Sequence, residues 1–200
     1  MSRTTTWSRR TSKGTTTSKR RRISTTTRRE PAGGAVPVAL ALGGNLGLVE
    51  ETLRQALRQL GDSLGPLRVA SLYRTVPLSP VPQPDFLNTA ALAYTSLPPE
   101  AVLALAKALE RAAGRRRGAR FGPRPLDVDL LLYGSRTSSA PELTLPHPRL
   151  AERRFVLAPL AEIAPELAVP PDGTTVAELL ARLPGQDGVE RIGWTSPLSL

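Results

Sequence analysis

Two aspartates stand two residues apart in the segment RFGPRPLDVDLLLYG (residues 120–134), in which every second position is apolar. The apolar positions are Leu126, Val128, Leu130 and Leu132. In a β-strand, residues two apart lie about 6.6–6.8 Å from each other on one face, so Asp127 and Asp129 project together while the apolar row enters the core. Two carboxylates at this spacing fit a pair of Mg²⁺ ions about 3.5–4 Å apart, as in many phosphoryl-transfer sites. A solvated outer face without any function is the alternative.

Five arginines precede the aspartates in a loop bounded by glycines. They are Arg115, Arg116, Arg117, Arg120 and Arg124. The planar guanidinium binds phosphate oxygens in a bidentate manner, so the loop fits one side of a polyphosphate site with metal ions on the other side. Mutual salt bridges with the aspartates are an equally good interpretation, and on a surface such pairs contribute little to stability. The segment GGNLG (43–47) predicts a tight turn between strand and helix and lacks the Lys-Ser/Thr pair of a phosphate-binding P-loop.

The composition excludes several kinds of catalysis. The 200 residues include no cysteine and a single histidine, His147. This excludes disulfides, thiolate nucleophiles, and metal sites rich in Cys or His. A Ser-His-Asp triad would need His147, which no serine elbow accompanies, so we expect catalysis by carboxylates, arginines and bound metal. Because no apolar stretch reaches the roughly 18 residues that span a bilayer, we expect a soluble, cytoplasmic protein without a membrane partner.

The net charge of +10 is concentrated at the N-terminus. Residues 1–30 contain ten basic residues and one acidic residue, and the remainder holds 17 basic and 16 acidic residues. We expect residues 1–35 to form a disordered basic tail rich in Thr, Ser and Arg, and residues 36–200 to form a single domain. An over-extended gene model is another interpretation of the tail, in which translation starts at a codon now read as Val36 or Val38.

Hydrophobic periodicity predicts the elements that position these residues. They are, in order, strand 36–42, helix 49–60, strand 67–74, strand 86–95, helix 98–113 and strand 125–133. Prolines between the second and third strands predict an extended loop there. The order βαββαβ is that of a ferredoxin-like α+β sandwich. Residues 142–163 (a short helix and a strand) and the helix 176–183 predict additional C-terminal elements.

Four separated blocks of the sequence resemble one enzyme family. They are ALGGNLG, SLYRT with PQPDFLN, RFGPRPLDVDLLLYG and LPHPRLAERRFVLAPLAEIAPE. Over residues 37–172, and in the same order, they resemble the 6-hydroxymethyl-7,8-dihydropterin pyrophosphokinases of folate biosynthesis. The resemblance implies transfer of a pyrophosphoryl group from ATP to the pterin's hydroxymethyl oxygen, with release of AMP. It also implies a ferredoxin-like α+β sandwich with extra elements.

The resemblance assigns roles to individual residues. Asp127 and Asp129 would hold two Mg²⁺ ions, and Arg115 and Arg124 would complete the catalytic group by neutralising the β- and γ-phosphates. The residues expected on ATP are Glu110, Arg115, Arg117, Arg124, His147 and Arg153. The residues expected on the pterin are Thr75, Leu78, Phe86, Asn88 and Phe155, with the ring stacked between the two phenylalanines. Plain core aromatics are the alternative for these phenylalanines.

The sequence departs from the family pattern at three positions. Gly44 replaces a serine of the first turn, Lys107 replaces a neutral amide near the nucleotide, and Phe121 replaces a common tryptophan. None of these positions belongs to the metal pair. We expect a monomer whose partners are ATP and the pterin, with no specific nucleic acid. The competing hypotheses are a nucleic-acid-binding module that uses the basic tail and the arginine loop, and a metal-dependent nuclease that uses the aspartate pair.

Overall fold

The computed structural model describes residue 1 and residues 34–77, 82–115, 122–185 and 188–200. The chain divides into two units, Met1–Glu30 and Pro31–Leu200, and the described helices and strands lie in the second unit. Within the described ranges, no helix is long and apolar enough to cross a membrane. The predictions made for the basic tail, Leu78, Arg116, Arg117, Arg120 and Phe121 lie outside the described residues.

The elements follow the predicted order up to residue 133. In residues 142–163 a strand precedes the helix, whereas the sequence predicted a short helix followed by a strand. The strands are β1 (Val36–Gly44), β2 (Arg68–Val69), β3 (Tyr73–Thr75), β4 (Phe86–Thr95), β5 (Asp127–Tyr133), β6 (Ser138–Ala140), β7 (Leu143–Leu145), β8 (Ala168–Val169), β9 (Thr174–Thr175) and β10 (Val189–Arg191). The helices are α1 (Val49–Leu64), α2 (Pro99–Ala112), α3 (Arg154–Ile163) and α4 (Val176–Arg182), with a 3₁₀ turn at Leu150–Glu152. The α+β class is confirmed, and the predicted strand 67–74 is divided into β2 and β3.

One antiparallel sheet forms the centre of the domain. Its strand order is β10-β3-β4-β1-β5, and β2 pairs with β4 beside β3. β1 and β4 pair from Val36 opposite Thr95 to Gly44 opposite Leu87. β5 and β10 therefore lie at opposite edges of this sheet, with β1, β4 and β3 between them.

Both faces of the sheet are buried. Leu40 and Leu42 of β1 pack against Leu57 of α1 and Val102 of α2. Ala39 of β1 points to the opposite face, because successive residues of a strand alternate, and there it belongs to the apolar cluster of α3 and α4. Each leucine that is fully buried in these layers contributes about 1.5–3 kcal/mol. Burial on both sides explains why the strands read as nearly continuous apolar runs.

A β-bulge interrupts the predicted apolar row of β5, so the prediction that all four residues of the row share one face is wrong for Leu132. The register of β5 against β1 shifts after Leu130, so that Leu131 is the extra residue. Leu132 consequently packs with Leu131 in the cluster on the α3 side rather than with Leu130 on the α1 side. The alternation is intact before the bulge, and Asp129 opposes Ala41, which packs on the α3 side. The two aspartates therefore share the face of the sheet that α3 covers.

Candidate active site

Asp127 opens β5 and is held between two arginines. Its Oδ1 accepts a hydrogen bond from Arg115 Nη1, and its Oδ2 accepts one from Arg124 Nη1 at 3.0 Å. Burial alone would raise the pKa of this carboxyl, but Arg124 and Arg115 outweigh it and hold the pKa below its ordinary value. Asp127 is therefore ionised at neutral pH.

Asp129 lies beside an arginine and a histidine. Its Oδ2 lies 3.4 Å from Arg153 Nη1 and 3.8 Å from His147 Nε2. Burial lowers the pKa of His147, and Arg153 and Arg149 lower it further against the opposing effect of Asp129. The imidazole is therefore neutral near pH 7. Since its Nδ1 accepts a hydrogen bond from Arg149 N at 3.2 Å, we assign its proton to Nε2, the atom that faces Asp129.

Glu110 holds Arg115, which contacts Asp127, and the backbone of β5 next to Asp127. It lies near the end of α2 and is only 5% exposed. Its Oε1 accepts hydrogen bonds from Arg115 Nη1 and, at 2.9 Å, from the backbone N–H of Val128, which lies between the two aspartates. Lys107 Nζ donates to both carboxylate oxygens at 3.0 and 3.1 Å. Glu110 thus ties the end of α2, a site arginine and the start of β5 together.

Arg124 keeps one donor unused. Its Nη1 contacts Asp127, but its Nε is buried and has no hydrogen-bond partner among the described residues. A buried donor without a partner costs about 1–3 kcal/mol, so such a group in a native structure calls for an explanation. A water molecule or an anion beside Asp127 would supply the acceptor.

The residues predicted to bind the pterin lie on β3, β4 and α3. Asn88 and Thr75 are both buried, and Asn88 Nδ2 donates to Thr75 Oγ1 at 2.9 Å. Phe86 lies opposite Thr75 in the register of β3 and β4. Phe155 lies in the first turn of α3 and is partly buried.

Each phenylalanine faces an arginine that also contacts an aspartate. The Arg124 guanidinium lies 5.5 Å from the centroid of the Phe86 ring, and the Arg153 guanidinium lies 5.7 Å from that of Phe155. These distances are within the range of cation–π attraction. Because Arg124 and Arg153 also contact the aspartates, the predicted metal, phosphate and pterin residues form one continuous site. The stacking role of the two phenylalanines stays a prediction, because an arginine also faces the ring of Trp194.

Asn45 is a site residue that the sequence analysis missed. It is 4% exposed, and its Oδ1 accepts from the backbone N–H of Arg124 at 2.8 Å. Its Nδ2 donates to Gln83 Oε1 and to the carbonyl of Pro84, both at 3.0 Å. One amide therefore joins the turn after β1 to the segments that precede β4 and β5. The signal was present in GGNLG, but nothing local indicated what the asparagine would contact.

The two glycines of the same turn are required by close approach. A Cβ at Gly43 would lie 2.4 Å from Asn88 Oδ1, and one at Gly44 would lie 2.3 Å from the carbonyl oxygen of Pro125. A side chain at either position would displace the backbone or the buried amide. The glycines thus bring β1 against both the pterin residues and the entry to β5.

A cavity of about 200 Å³ lies beside Asp129. It opens between α2 and β7, and its lining includes Leu103, Leu143, Lys107 and His147. In the described part of the chain, no three His, Cys, Asp or Glu side chains gather as metal ligands. The two aspartates nevertheless suit Mg²⁺, which is commonly bound through one or two carboxylates together with substrate phosphates and water.

Comparisons with known proteins agree with this geometry. The family model 7,8-dihydro-6-hydroxymethylpterin-pyrophosphokinase (HPPK) matches residues 39–165. A 2-amino-4-hydroxy-6-hydroxymethyldihydropteridine pyrophosphokinase from Pseudomonas aeruginosa is 42% identical over 158 residues, which cover 78% of this chain and 96% of the relative. An enzyme of the same name from Synechocystis is 40% identical over 146 residues, which cover 72% of this chain and 74% of the relative.

Larger proteins match over a part of their length. The mitochondrial folate synthesis bifunctional protein of Arabidopsis thaliana is 40% identical over 171 residues, and the match covers 78% of this chain but 31% of that protein. The crystal structure of wild-type Plasmodium falciparum HPPK-DHPS superimposes with a TM-score of 0.59 at 15% identity, over 74% of this chain and 44% of that one. At this identity the structural match supports the fold alone.

Proposed function

The chain belongs to the 7,8-dihydro-6-hydroxymethylpterin-pyrophosphokinase family, and we propose that the site on β5 is where it performs the family's reaction. It transfers pyrophosphate from ATP to the hydroxymethyl group of 6-hydroxymethyl-7,8-dihydropterin, in folate biosynthesis. The observation that carries the assignment to this site is the continuous chain of contacts from Phe86 through Arg124 to Asp127, and from Phe155 through Arg153 to Asp129.

In this proposal Asp127 and Asp129 hold two Mg²⁺ ions against the phosphates of ATP. Bound there, the ions would supply charge neutralisation for the displacement in which the hydroxyl oxygen bonds to the β-phosphorus, the hydroxyl proton passes to solvent and AMP leaves. The lowered pKa of Asp127 keeps its carboxylate available as a ligand at neutral pH. Both aspartates lie on one strand and on one face, so a single rigid element sets the distance between them.

Arg115 and Arg124 bind the phosphates in addition to their aspartate. A guanidinium carries five N–H donors, and Arg124 has a buried Nε that lacks a partner among the described residues. Glu110 limits the movement of Arg115, because its buried carboxylate holds the same Nη1 that contacts Asp127. Such preorganised charge is the main requirement of phosphoryl transfer, which needs neither a thiol nor a histidine nucleophile.

The pterin ring lies between Phe86 and Phe155 in this proposal, with Asn88 and Thr75 at its edge. Both rings are partly exposed, which leaves surface for stacking. Asn88 is held by its bond to Thr75, so the amide offers its remaining groups in a fixed direction. The hydroxymethyl group of a ring bound there extends toward the arginines that flank the aspartates.

The nucleoside of ATP occupies the cavity between α2 and β7. The cavity opens beside Asp129, so a nucleoside placed there keeps its phosphates next to the metal ligands. Arg153 and the Nε2–H of His147 then donate to the phosphates or the ribose. Lys107 lies at the wall of the cavity but is held by Glu110, which limits its reach toward the base. Direct ATP contacts by Glu110 and Arg117 and a pterin contact by Leu78 stay predictions.

The cellular setting is also a proposal. We infer a monomer in the cytoplasm that acts on these two small molecules and on no specific nucleic acid. Two relatives, from Arabidopsis thaliana and Pisum sativum, are named as mitochondrial, so localisation needs its own measurement, for example by fractionation of the native host.

The direct test is to incubate the protein with ATP, Mg²⁺ and 6-hydroxymethyl-7,8-dihydropterin and to quantify AMP and the pterin diphosphate. We expect one AMP for each pterin diphosphate, and no AMP without the pterin. Incubation of DNA and RNA with Mg²⁺ under the same conditions tests the nuclease hypothesis, and retention on nucleic acid at increasing salt tests the binding hypothesis. Cleavage of nucleic acid without pterin diphosphate formation would overturn the assignment.

A further inference from the structure

The segment Gly188–Pro197, called the C-terminal strap, adds an edge strand beside the pterin residues. It lies beyond residues 39–165, which the family model matches. Its strand β10 pairs with β3 in antiparallel register, and Val189 lies opposite Thr75. Val76 N donates to the carbonyl of Gly188 at 3.0 Å. The strap is therefore bonded to the backbone on both sides of Thr75.

Trp194 anchors the strap to the sheet. Its Nε1 donates to the carbonyl of Ala70 at 2.9 Å, and its ring packs partly buried against the main apolar cluster. The Arg54 guanidinium lies 5.1 Å from the centroid of this ring. The indole is thus fixed by a hydrogen bond at its edge and by a cation at its face.

Helix α1 holds the chain that follows Trp194. Arg54 donates to the carbonyls of Ser196 at 2.6 Å and Pro197 at 3.1 Å. Glu50 Oε1 accepts from the backbone N–H of Thr195 at 3.0 Å and from its hydroxyl at 2.7 Å, and it also pairs with Arg54. One ion pair on α1 therefore holds three consecutive residues of the strap.

The strap decides whether β3 is an edge strand. β3 has three residues, and its other side is bonded to β4, where Tyr73 lies opposite Asn88. A three-residue strand with one free edge opens more readily than one that is paired on both sides. Opening of β3 would move Thr75 and break its bond to Asn88.

We propose that the strap positions the pterin-binding wall, with Arg54 and Trp194 as positioning residues that act through β3. The inference rests on the proposed pterin site. It predicts an effect on one substrate only, because β3 and β10 lie at one edge of the sheet and the aspartates of β5 lie at the other. Loosening the strap weakens pterin binding and leaves ATP binding and the phosphoryl-transfer step intact.

The test compares Arg54→Met with Arg136→Met in the full chain. Methionine keeps the apolar stem of Arg54 and removes its contacts to Trp194 and to the two carbonyls. Arg136 forms an exposed ion pair with Glu100 at 3.0 Å, remote from the strap, and serves as the control for loss of an arginine ion pair elsewhere on the domain. For Arg54→Met we expect the pterin KM to rise about three- to tenfold, in the range of one lost hydrogen bond, while kcat and the ATP KM stay within about twofold. Arg54→Lys should raise the pterin KM less than Arg54→Met does. Trp194→Ala should raise the pterin KM more than Arg54→Met does.

Equal pterin KM values for Arg54→Met, Arg136→Met and wild type would overturn the inference. A parallel rise of the pterin and ATP KM values would also overturn it, because such a change is not confined to the pterin-binding wall. Failure of the proposed function is distinguishable, since the wild-type chain would then form no pterin diphosphate at all. If Trp194→Ala does not fold, the Arg54 variants alone decide the question.

Discussion

Replacement of Asp129 by asparagine tests the proposed metal pair most directly. The amide has the size of the carboxylate, and the apolar residues of β5 are unchanged. The Asp129 side chain is 26% exposed and its contact to Arg153 is 3.4 Å long, so loss of this ion pair should cost little stability. The domain should therefore fold, with a small decrease in Tm.

The expected loss of activity follows from the missing charge. Two unit charges about 4 Å apart interact by about 4 kcal/mol at the effective dielectric constant near a protein surface. The amide oxygen remains as a weaker ligand, so we assign a loss of at least about 2.7 kcal/mol, or a hundredfold in kcat. The effect should fall on kcat, since the charge on the transferred group develops in the transition state. Asp127→Asn should behave in the same way.

The assay is the rate of AMP release at saturating substrates, with pterin binding in the absence of metal as the second measurement. That binding should stay close to wild type, because the pterin contacts lie on β3, β4 and α3. The exposed Asp62 of α1 offers a matched control, and Asp62→Asn should be fully active. The double variant Asp127→Asn/Asp129→Asn should be little worse than the worse single variant, because residues that act as one unit are not additive. Normal turnover by either single variant, or unfolding of both, would refute the metal assignment.

Three further predictions concern the surrounding residues. Phe155→Ala should weaken pterin binding about tenfold to a hundredfold, the value of one stacked ring, with little effect on ATP binding; equal losses in titrations of both would identify a core residue instead. Asn45→Ala should lower both kcat/KM and Tm, because it removes the hydrogen bonds that join the turn after β1 to the segments before β4 and β5. Unchanged steady-state kinetics would contradict this prediction. Burial alone would raise the pKa of Glu162, but hydrogen bonds from Ser71 and Tyr73 outweigh this effect and hold the pKa below its ordinary value. Its stabilising effect is therefore present above about pH 4.3 and is lost as the pH falls through the lowered pKa. Glu162→Gln should flatten the decrease of Tm on acidification below about pH 4.3, and an unchanged profile would contradict the assignment.

The elements with long periodic patterns were predictable, and their ends were less so. The strand predicted at 86–95 coincides with β4. Helix α1 was expected to stop at Gly61, but it continues to Leu64, which is 4% exposed in the core. Burial of a leucine contributes more than the roughly 1 kcal/mol that a glycine costs inside a helix. Tertiary packing thus overrode a local stop signal.

Two features of the sheet had no local signal. β10 consists of Val189, Glu190 and Arg191, which have no apolar alternation, and it exists because the edge of β3 is available to it. The bulge at Leu131 arises from the pairing of β5 with β1. Both depend on contacts between residues far apart in the sequence, which a pattern read along the chain does not contain.

The part of the proposed site that lies on a single strand was predictable from the sequence. The spacing of Asp127 and Asp129 indicated a shared face, and β5 has that geometry. The pairing of Phe86 with Phe155 came only from the family resemblance, since one lies on β4 and the other on α3. The role of Asn45 came from neither, because its three contacts lie in segments that meet only in the folded domain.

The contacts of Arg124 are compatible both with a salt bridge to Asp127 and with the proposed phosphate site. Its Nη1 holds Asp127, which lowers the pKa of the carboxyl and keeps it ionised, as a magnesium ligand must be. Its guanidinium also faces Phe86, and its buried Nε has no acceptor among the described residues. An ion pair alone explains the first contact and leaves the buried Nε without an acceptor among the described residues, as is also the case for the Nε of Arg154. In the proposed site, a bound phosphate would accept from this Nε without removing the ion pair, so the two interpretations do not exclude each other.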